Sequence, residues 1–402
     1  MVVSPSRRKI LSSSAGLLGL TAGCTRVPGL GTGIDEVTGS WPQFGYDLAN
    51  TGYNPDASPS TDSPRVAWQF DTGGLLTEPR ITASPTVVDG TVYIGGQSGE
   101  VFAVDAVSGR EQWAFQATGW FRRSVAVSDG TVYAGSTAGA IFALDAASGK
   151  LQWGLSEDGW IVSSPAVVDG TVYVGSTPGW AFAIEGDSGE IRWERQLGTA
   201  LYGSPAVIGD VVYFCTDCRD DGGCPEDPDS RAVYALDRTD GEVLWQLVAD
   251  DGLLVSPVIS NETVYAASRA GTVYALDRST GEKQWLHRTG EEIRHKPAVD
   301  DEHVYVASSA AGIRALDRSN GTEHWTFENG EGVFGAPSVA ADTVYVGDRG
   351  GTLYALDAAG GTLKWTLSLD EIVGLPVLVD DVLYAGCLDG TLVAVVEDTR
   401  RI

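Results

Sequence analysis

The sequence predicts an all-β, eight-bladed propeller with four-stranded antiparallel blades, and three observations lead to it. A shared pattern ends in tryptophan at steps of 40, 40, 52, 40, 40 and 40 residues. The segments between these tryptophans are short, alternate apolar and polar residues, and are separated by turn pairs such as Asp-Gly and Ser-Gly, which are strand and hairpin signals. No segment with helical periodicity interrupts them. Four-stranded units of about 40 residues describe propeller blades.

Eight first-strand openings occur along the chain. They fall at Ser84-Pro85, Ser124-Val125, Ser164-Pro165, Ser204-Pro205, Ser256-Pro257, Lys296-Pro297, Ala336-Pro337 and Leu375-Pro376. The last unit stops without a tryptophan strand, whereas a strand around Trp68 precedes the first unit. Placing the Trp68 strand in the last blade closes the ring and removes exposed sheet edges. We therefore assign residues 64–402 to one propeller.

The tryptophans are predicted to be structural, because equivalent residues in eight blades cannot all form one site. They are Trp68, Trp113, Trp153, Trp193, Trp245, Trp285, Trp325 and Trp365. An aspartate also recurs in six blades, at Asp105, Asp145, Asp237, Asp277, Asp317 and Asp357. We expect these aspartates to accept hydrogen bonds from turn amides.

The chain carries 54 acidic and 27 basic residues, for a net charge of −27. This charge excludes general nucleic-acid affinity, which requires a basic surface. It is typical of a solvated acidic surface that remains soluble at high salt, and it suggests a salt-loving organism.

Residues 1–23 are predicted to be a targeting segment. Arg7-Arg8 is a twin-arginine motif, and the apolar run that follows is too short to span a membrane. The Ala-Gly-Cys ending resembles a lipoprotein cleavage box that leaves a lipid on Cys24, although Thr21 replaces the usual apolar residue; an ordinary cleavage site is the alternative. We expect export by the twin-arginine route and anchoring at the outer surface of the cytoplasmic membrane. Residues 24–40 are predicted to be a tether, and residues 41–63 an arm packed on the ring.

Two basic clusters depart from the repeat in the connections that precede the first strands. The second unit has Arg122 and Arg123, and the sixth has Arg294, His295 and Lys296. Units four apart in a ring of eight face each other across the channel mouth. The clusters are predicted to hold an anionic ligand or an acidic peptide. The alternative is that they pair with neighbouring acids such as Glu291 and Glu292 and only tie loops together.

Aromatic residues depart from the repeat on the same face, at Trp120, Trp160, Trp180 and Tyr202. Aromatic side chains at loop tips favour a binding surface, although packing of one loop on the next explains them equally well.

The fourth unit contains the one large insertion, which accounts for its 52-residue step. Its cysteines lack zinc-ligand spacing, and export favours disulfides. Cys218–Cys224 is the first candidate pair, and Cys215–Cys218 is the alternative. The acidic residues of the loop lack the spacing of a calcium loop, so we predict a solvated loop and no metal site.

The Ala-Leu-Asp-x-x-Thr-Gly-x-x-x-Trp pattern and the Trp-Pro-Gln-Phe…Asn-Thr-Gly preface resemble the pyrroloquinoline-quinone-type repeat family, that is, the quinoprotein alcohol dehydrogenase-like eight-bladed propellers. The resemblance covers residues 41–396. It implies the fold, with the tryptophans packed between blades. The family includes quinone enzymes and non-catalytic scaffolds, among them an envelope-assembly lipoprotein branch.

The resemblance also implies that a quinone enzyme of this family would contain a cofactor in the channel, ligands for calcium, and an aspartate base. The channel-facing segments are mostly apolar, small or basic, and the four histidines are scattered along the sequence with no metal cluster or triad. We therefore predict a monomeric, membrane-anchored binding scaffold with a protein partner or anionic ligand, no catalytic residue and no cofactor. The alternative is a dehydrogenase of alcohols or sugars that uses pyrroloquinoline quinone with calcium.

Overall fold

The computed structural model describes residues 8–9, 24–25, 32–57, 63–73, 80–157, 159–217, 228–253, 255–310, 312–330, 332–369 and 374–398. These residues form eight antiparallel sheets, each with four main strands. The prediction of an all-β, eight-bladed propeller is therefore confirmed. Most of the predicted targeting segment and tether, and the side chains of Cys24, Cys218 and Cys224, lie outside the described residues. No helix in the described ranges is long and apolar enough to cross a membrane.

Each blade runs outward from its innermost strand. The blades are, in order, Thr86–Val88, Thr91–Gly95, Glu100–Asp105 and Glu111–Gln116; Ala126–Ser128, Thr131–Gly135, Ala140–Asp145 and Leu151–Ser156; Ala166–Val168, Thr171–Thr177, Trp180–Glu185 and Ile191–Gln196; Ala206–Ile208, Val211–Cys215, Ala232–Asp237 and Val243–Val248; Val258–Ser260, Thr263–Ala267, Thr272–Asp277 and Lys283–Arg288; Ala298–Val299, His303–Ser308, Gly312–Asp317 and Glu323–Phe327; Ser338–Ala340, Thr343–Gly347, Thr352–Asp357 and Leu363–Ser368; Val377–Val379, Val382–Gly386, Thr391–Glu397 and Pro64–Asp71.

Short elements flank the blades. They are the strands Arg8–Lys9, Cys24–Thr25, Tyr53–Asn54 and Trp160–Ile161, which pair with blades 2, 8, 7 and 3, and the 3-10 helix Pro228–Arg231.

The N-terminal strand of the propeller closes the ring. Pro64–Asp71 pairs antiparallel with Thr391–Glu397, and Trp68 lies opposite Ala394. The outer strand of blade 8 therefore comes from the beginning of the propeller and its three inner strands from the end. Joining the two ends in one sheet leaves neither as an unpaired blade.

The repeated tryptophans join neighbouring blades, as predicted. Trp285 in blade 5 donates from Nε1 to the backbone oxygen of Arg318 in blade 6, at 3.0 Å. Its ring lies against Gly321, where φ is +72° and an added Cβ would lie 2.4 Å from a ring carbon. Trp68 repeats the arrangement across the closure, donating to Ala106 at 3.0 Å. Glycine is required at this position because the backbone is left-handed and the indole approaches it closely.

The recurring aspartates bind turn amides. Asp277 Oδ1 accepts from the backbone nitrogens of Ser279 and Thr280, each at 2.9 Å. Asp105, Asp145, Asp237, Asp317 and Asp357 accept comparable bonds in their own turns. Their structural role is confirmed.

Candidate functional site

The N-terminal arm follows the inner edge of the ring, touching each blade in turn. It bonds the innermost strands of blades 1 and 2 through Trp41 and Pro42, and those of blades 4, 5, 6 and 7 through Leu48, Ala49, Thr51 and Gly52, at 2.6–2.9 Å. Gln43 accepts from blade 3 and Asn54 donates to blade 8. Apart from the arm, which includes the short strand Tyr53–Asn54 paired with blade 7, the described innermost strands have no partner on their axial side. The arm therefore satisfies backbone groups that would otherwise face the channel.

A cavity of about 390 Å³ lies at the axis above this arm. Its walls are mainly the connections that precede the innermost strands, and Phe44 of the arm also lines it. Among the described lining residues, the charged groups are Arg80, Arg122, Arg123, Arg294 and Lys296, with His295 beside them, and no carboxylate lines the cavity. The lining is therefore cationic in a chain whose net charge is −27.

Both predicted basic clusters lie on this cavity, together with Trp160 and Tyr202. Trp160 is 51% exposed. Trp120 does not line the cavity, but the guanidinium of Arg122 lies 4.8 Å from its ring centroid. Trp180 is also outside the cavity lining and stacks on Phe182.

The arginines differ in how they are held. Arg123 donates from Nε to the backbone oxygen of Val162 at 2.8 Å. Arg294 forms an ion pair with Glu292 at 2.9 Å, which is the loop-tying contact considered from the sequence. Nε of Arg122 is buried without a hydrogen-bond partner. An unsatisfied buried donor costs free energy, so Arg122 has the strongest reason to accept an anion.

His295 is neutral at physiological pH. Burial, followed by the charges of Arg123, Arg294 and Arg349, lowers the pKa of His295 to about 4. Three neighbouring cations and partial burial both oppose a further positive charge here. His295 can therefore hydrogen-bond a ligand without adding charge to the site.

Lys296 holds the arm more than it faces the cavity. Its Nζ donates to the backbone oxygens of Asn50 at 3.0 Å and Pro297 at 3.3 Å, and lies 5.7 Å from the ring centroid of Phe44. Burial lowers the pKa of Lys296 to about 7, and the nearby Asp47 opposes that shift. The amine therefore fastens the arm beneath the cavity.

Sequence reasoning missed Arg80 and Phe44. Arg80 lies five residues before Pro85, outside the three positions before each conserved Pro in which the basic clusters occur. Its position in the same connection is the sequence signal for it. Phe44 carried no signal, because the arm has no strand or helix period from which to place it in the channel.

Two of the four histidines come together in the fold although they are scattered along the sequence. His303 and His324 lie side by side in blade 6, with ring centroids 4.9 Å apart. They are 21 positions apart in sequence, and only the antiparallel meander of the blade brings them together. His287 and His295 lie elsewhere.

The described cavity lining does not fit a quinone with calcium. Calcium prefers several oxygen ligands, mainly carboxylates, and alcohol oxidation needs a base near the quinone. The lining provides arginines that suit the carboxylates of the quinone, but no described carboxylate for the ion or the base. Nor does any group of three or more His, Cys, Asp or Glu side chains in the described ranges fit a metal ion.

Solved structures with the same fold include quinohemoprotein alcohol dehydrogenases and BamB. The quinohemoprotein alcohol dehydrogenase from Comamonas testosteroni superposes with a TM-score of 0.78 at 18% identity, covering 92% of this chain and 83% of that chain. BamB from Moraxella catarrhalis superposes with a TM-score of 0.69 at 18% identity, covering 85% of this chain and 100% of that chain. At these identities the likeness shows the fold alone.

A curated relative matches over a short stretch. The 1-butanol dehydrogenase (cytochrome c) of Thauera butanivorans is 34% identical over 80 residues, which is 19% of this chain and 11% of that protein. The match therefore spans about a tenth of the length of the relative.

A family model described as outer membrane protein assembly factor BamB matches residues 59–216, 157–252 and 229–401. These overlapping matches extend over nearly the whole propeller, including the blades that form the cavity. The chain belongs to the family of outer membrane protein assembly factor BamB.

Proposed function

We propose that this protein is a non-catalytic binding propeller that holds an acidic segment of a partner protein in its axial cavity. It is exported by the twin-arginine route and anchored through Cys24 at the outer surface of the cytoplasmic membrane. The observation that carries the proposal is the cationic lining: Arg80, Arg122, Arg123 and Arg294 meet at one cavity without a described carboxylate among the lining residues.

Charge complementarity is the reason to propose an anionic partner. Solubility alone explains an acidic surface, but it does not explain cations gathered at one point on a strongly acidic chain. Arginine presents paired donors that match carboxylate geometry. The surrounding acidic surface repels other anionic contacts, so an acidic segment binds favourably at the cavity and unfavourably elsewhere.

Rigidity also supports a binding role. The inner strands are bonded to the arm, and tryptophans fasten the blades to one another. A cavity of about 390 Å³ lies within the usual range for ligand sites. It accommodates a few side chains of a peptide while Trp160 and Tyr202 pack against its apolar parts.

A peptide titration tests this proposal. A fluorescein-labelled hexaglutamate peptide is titrated with the protein, and binding is followed by anisotropy at low and high salt. We expect the double variant R122A/R294A to bind at least about 100-fold more weakly, because two charge-assisted contacts are each worth roughly 1.5–3 kcal/mol. The matched control is R278A/R288A, which removes the same charge from exposed ion pairs on blade 5.

The affinities of the two double variants show whether the peptide binds at the cavity or elsewhere on the surface. Selective loss in R122A/R294A, with weaker binding at high salt, supports the cavity as the site. Equal affinity of both double variants would contradict it.

A quinone dehydrogenase is the second candidate, because solved enzymes share this fold and a short stretch is 34% identical to the butanol dehydrogenase. Pyrroloquinoline quinone and Ca²⁺ are added to the purified protein. Dye-linked alcohol oxidation with a bound quinone spectrum would replace the scaffold proposal. Binding of the quinone without oxidation would identify an anion site and leave the scaffold proposal in place.

The anchor is tested separately. We expect the natural protein to fractionate with membranes and to be released by detergent, and C24S to appear in the soluble fraction. An unchanged distribution of C24S would contradict lipid anchoring at this residue.

A further inference from the structure

One pair of positions differs in blade 6 from its equivalents in the other blades. One position of the pair begins the second strand of the blade, and the other lies near the start of the outer strand. In blades 1, 2 and 5 it is a threonine and a glutamine joined by a hydrogen bond: Thr91–Gln112, Thr131–Gln152 and Thr263–Gln284, at 3.2–3.4 Å. In blade 7 Lys364 donates to Thr343 at 2.8 Å. In blade 6 both positions are histidines, His303 and His324.

The two imidazoles face each other at the outer side of blade 6. Their ring centroids are 4.9 Å apart, with an interplanar angle of 36°. His303 is buried, and His324 is exposed. Both line an open cleft of about 540 Å³. The polar pair of blades 1, 2, 5 and 7 is therefore replaced in blade 6 by two imidazoles that line an open cleft.

The contacts of His303 fix which of its nitrogens is protonated. Tyr305 donates its hydroxyl proton to Asp300 Oδ2 at 2.6 Å. His303 Nδ1 lies 3.4 Å from that hydroxyl and 3.9 Å from Asp300 Oδ1. Because the tyrosine proton is directed at Asp300, we assign the ring proton of His303 to Nδ1, which leaves Nε2 with its lone pair.

The contact of His324 fixes its tautomer in the same way. His324 Nε2 lies 3.1 Å from the backbone oxygen of Ala359 in blade 7. A carbonyl oxygen only accepts, so Nε2 carries the proton and Nδ1 keeps its lone pair. Each histidine thus has one nitrogen held by an oxygen acceptor and the other available. Metal-binding histidines in proteins are commonly oriented in this manner.

The surroundings favour a cation. Asp301, Glu302 and Asp317 line the same cleft. Arg318 also lines it, but its guanidinium donates to the backbone oxygens of Asp300 and Asp301. No third His, Cys, Asp or Glu in the described ranges is close enough to complete a metal site directly, so the remaining positions are left to water, with the carboxylates beyond it.

We propose that His303 and His324 form a two-histidine site for a divalent late transition-metal ion on the outer side of blade 6. Imidazole nitrogen suits nickel, copper and zinc. This site is separate from the axial cavity and does not depend on the proposed function of that cavity. It is unique to blade 6 because the described equivalents in the other blades lack the histidine pair.

The test uses Ni²⁺ as the probe, because thiolates prefer zinc and copper(I), which limits binding by the cysteines. Untagged protein is titrated by calorimetry in 0.5 M NaCl, which screens weak binding to the acidic surface. We expect about one nickel ion per chain. Loss of that ion is expected in H303T/H324Q, which recreates the Thr263–Gln284 pair of blade 5 and so preserves the fold. H287Q, which changes a histidine on blade 5, is the matched control and is expected to bind normally.

A second variant probes the orienting contact. D300N removes the carboxylate behind His303, and we expect its nickel affinity to fall roughly 10- to 100-fold, as for other groups that orient a metal ligand. Equal nickel stoichiometry and affinity in H303T/H324Q and the natural protein would overturn the proposal, as would the absence of any bound nickel in the natural protein. Circular dichroism and the melting temperature establish that each variant is folded.

Discussion

Lys296 in blade 6 donates a hydrogen bond from Nζ to the backbone oxygen of Asn50 in the arm, at 3.0 Å. The lysine is 2% exposed. Asn50 in turn donates its side-chain amide to Pro205 at 3.0 Å and Pro257 at 3.1 Å, which lie at the openings of blades 4 and 5. Two buried side chains, Lys296 and Asn50, therefore connect the arm to three blades below the basic cavity.

The first prediction concerns this contact. K296M keeps the apolar stem but leaves the oxygens of Asn50 and Pro297 without this donor, so we expect destabilisation of about 1–3 kcal/mol. The arm should also become more sensitive to protease. Limited proteolysis and thermal melting measure both effects, with K150M on an exposed turn as the control. Unchanged arm protection in K296M would contradict the assigned role.

The second prediction separates the tryptophan contact from backbone strain. G321A places a Cβ against Trp285 at a φ of +72°, whereas Gly330 has a φ of +78° and nothing within 4 Å of an added Cβ. Strain alone costs roughly 1–2 kcal/mol, and the clash adds roughly 1–3 kcal/mol. We therefore expect a lower melting temperature for G321A than for G330A. Equal melting temperatures would show that the indole moves aside freely.

The third prediction concerns pH. The pKa of His295 is about 4 in the folded chain and 6.5 ordinarily, so between these values the unfolded chain binds a proton that the folded chain does not. Stability therefore rises with pH through that window and is lost as pH falls. In H295Q the dependence of the unfolding free energy on pH between 4 and 6.5 should be shallower than in the natural protein. A natural slope in H295Q would contradict the neutral, crowded environment assigned to this imidazole.

The fourth prediction concerns salt. A net charge of −27 repels itself, and the Debye length falls from about 10 Å at 0.1 M to about 3 Å at 1 M salt. The melting temperature should therefore rise between 0.1 M and 2 M NaCl. Sucrose at equal osmolality is the control, because it stabilises by exclusion without screening. An equal rise in both solutes would argue against charge repulsion as the cause.

The fold could be predicted because the same residue types recur at the same spacing from blade to blade. Trp285, Gly321 and Asp277 have equivalents at a fixed spacing in the other blades. A residue type that recurs in this way is predicted to have a structural role, and here the roles are an interblade hydrogen bond, a close approach of the backbone to the indole, and a turn. The orphan strand around Trp68 could be placed by the same logic, since a missing strand at one end matched a surplus strand at the other.

Residues of the axial cavity could be predicted only where they differ from their equivalents in the other blades. Arg122 and Arg294 stood out because their equivalents are mostly small or apolar. Phe44 did not stand out. The course of the arm is set by hydrogen bonds to eight separate strands, so its sequence has no hydrophobic periodicity from which to place a residue. His303 and His324 were visible as residues, but their contact depends on two strand positions that meet only across the folded sheet.

The most direct test of the central claim is amide hydrogen exchange of the protein with and without the hexaglutamate peptide. We predict added protection in the connections at residues 121–124 and 293–296, which carry the opposed basic clusters, and none of it in R122A/R294A. Protection confined to the outer strands, or protection that persists unchanged in R122A/R294A, would show that the axial cavity is not the anion site.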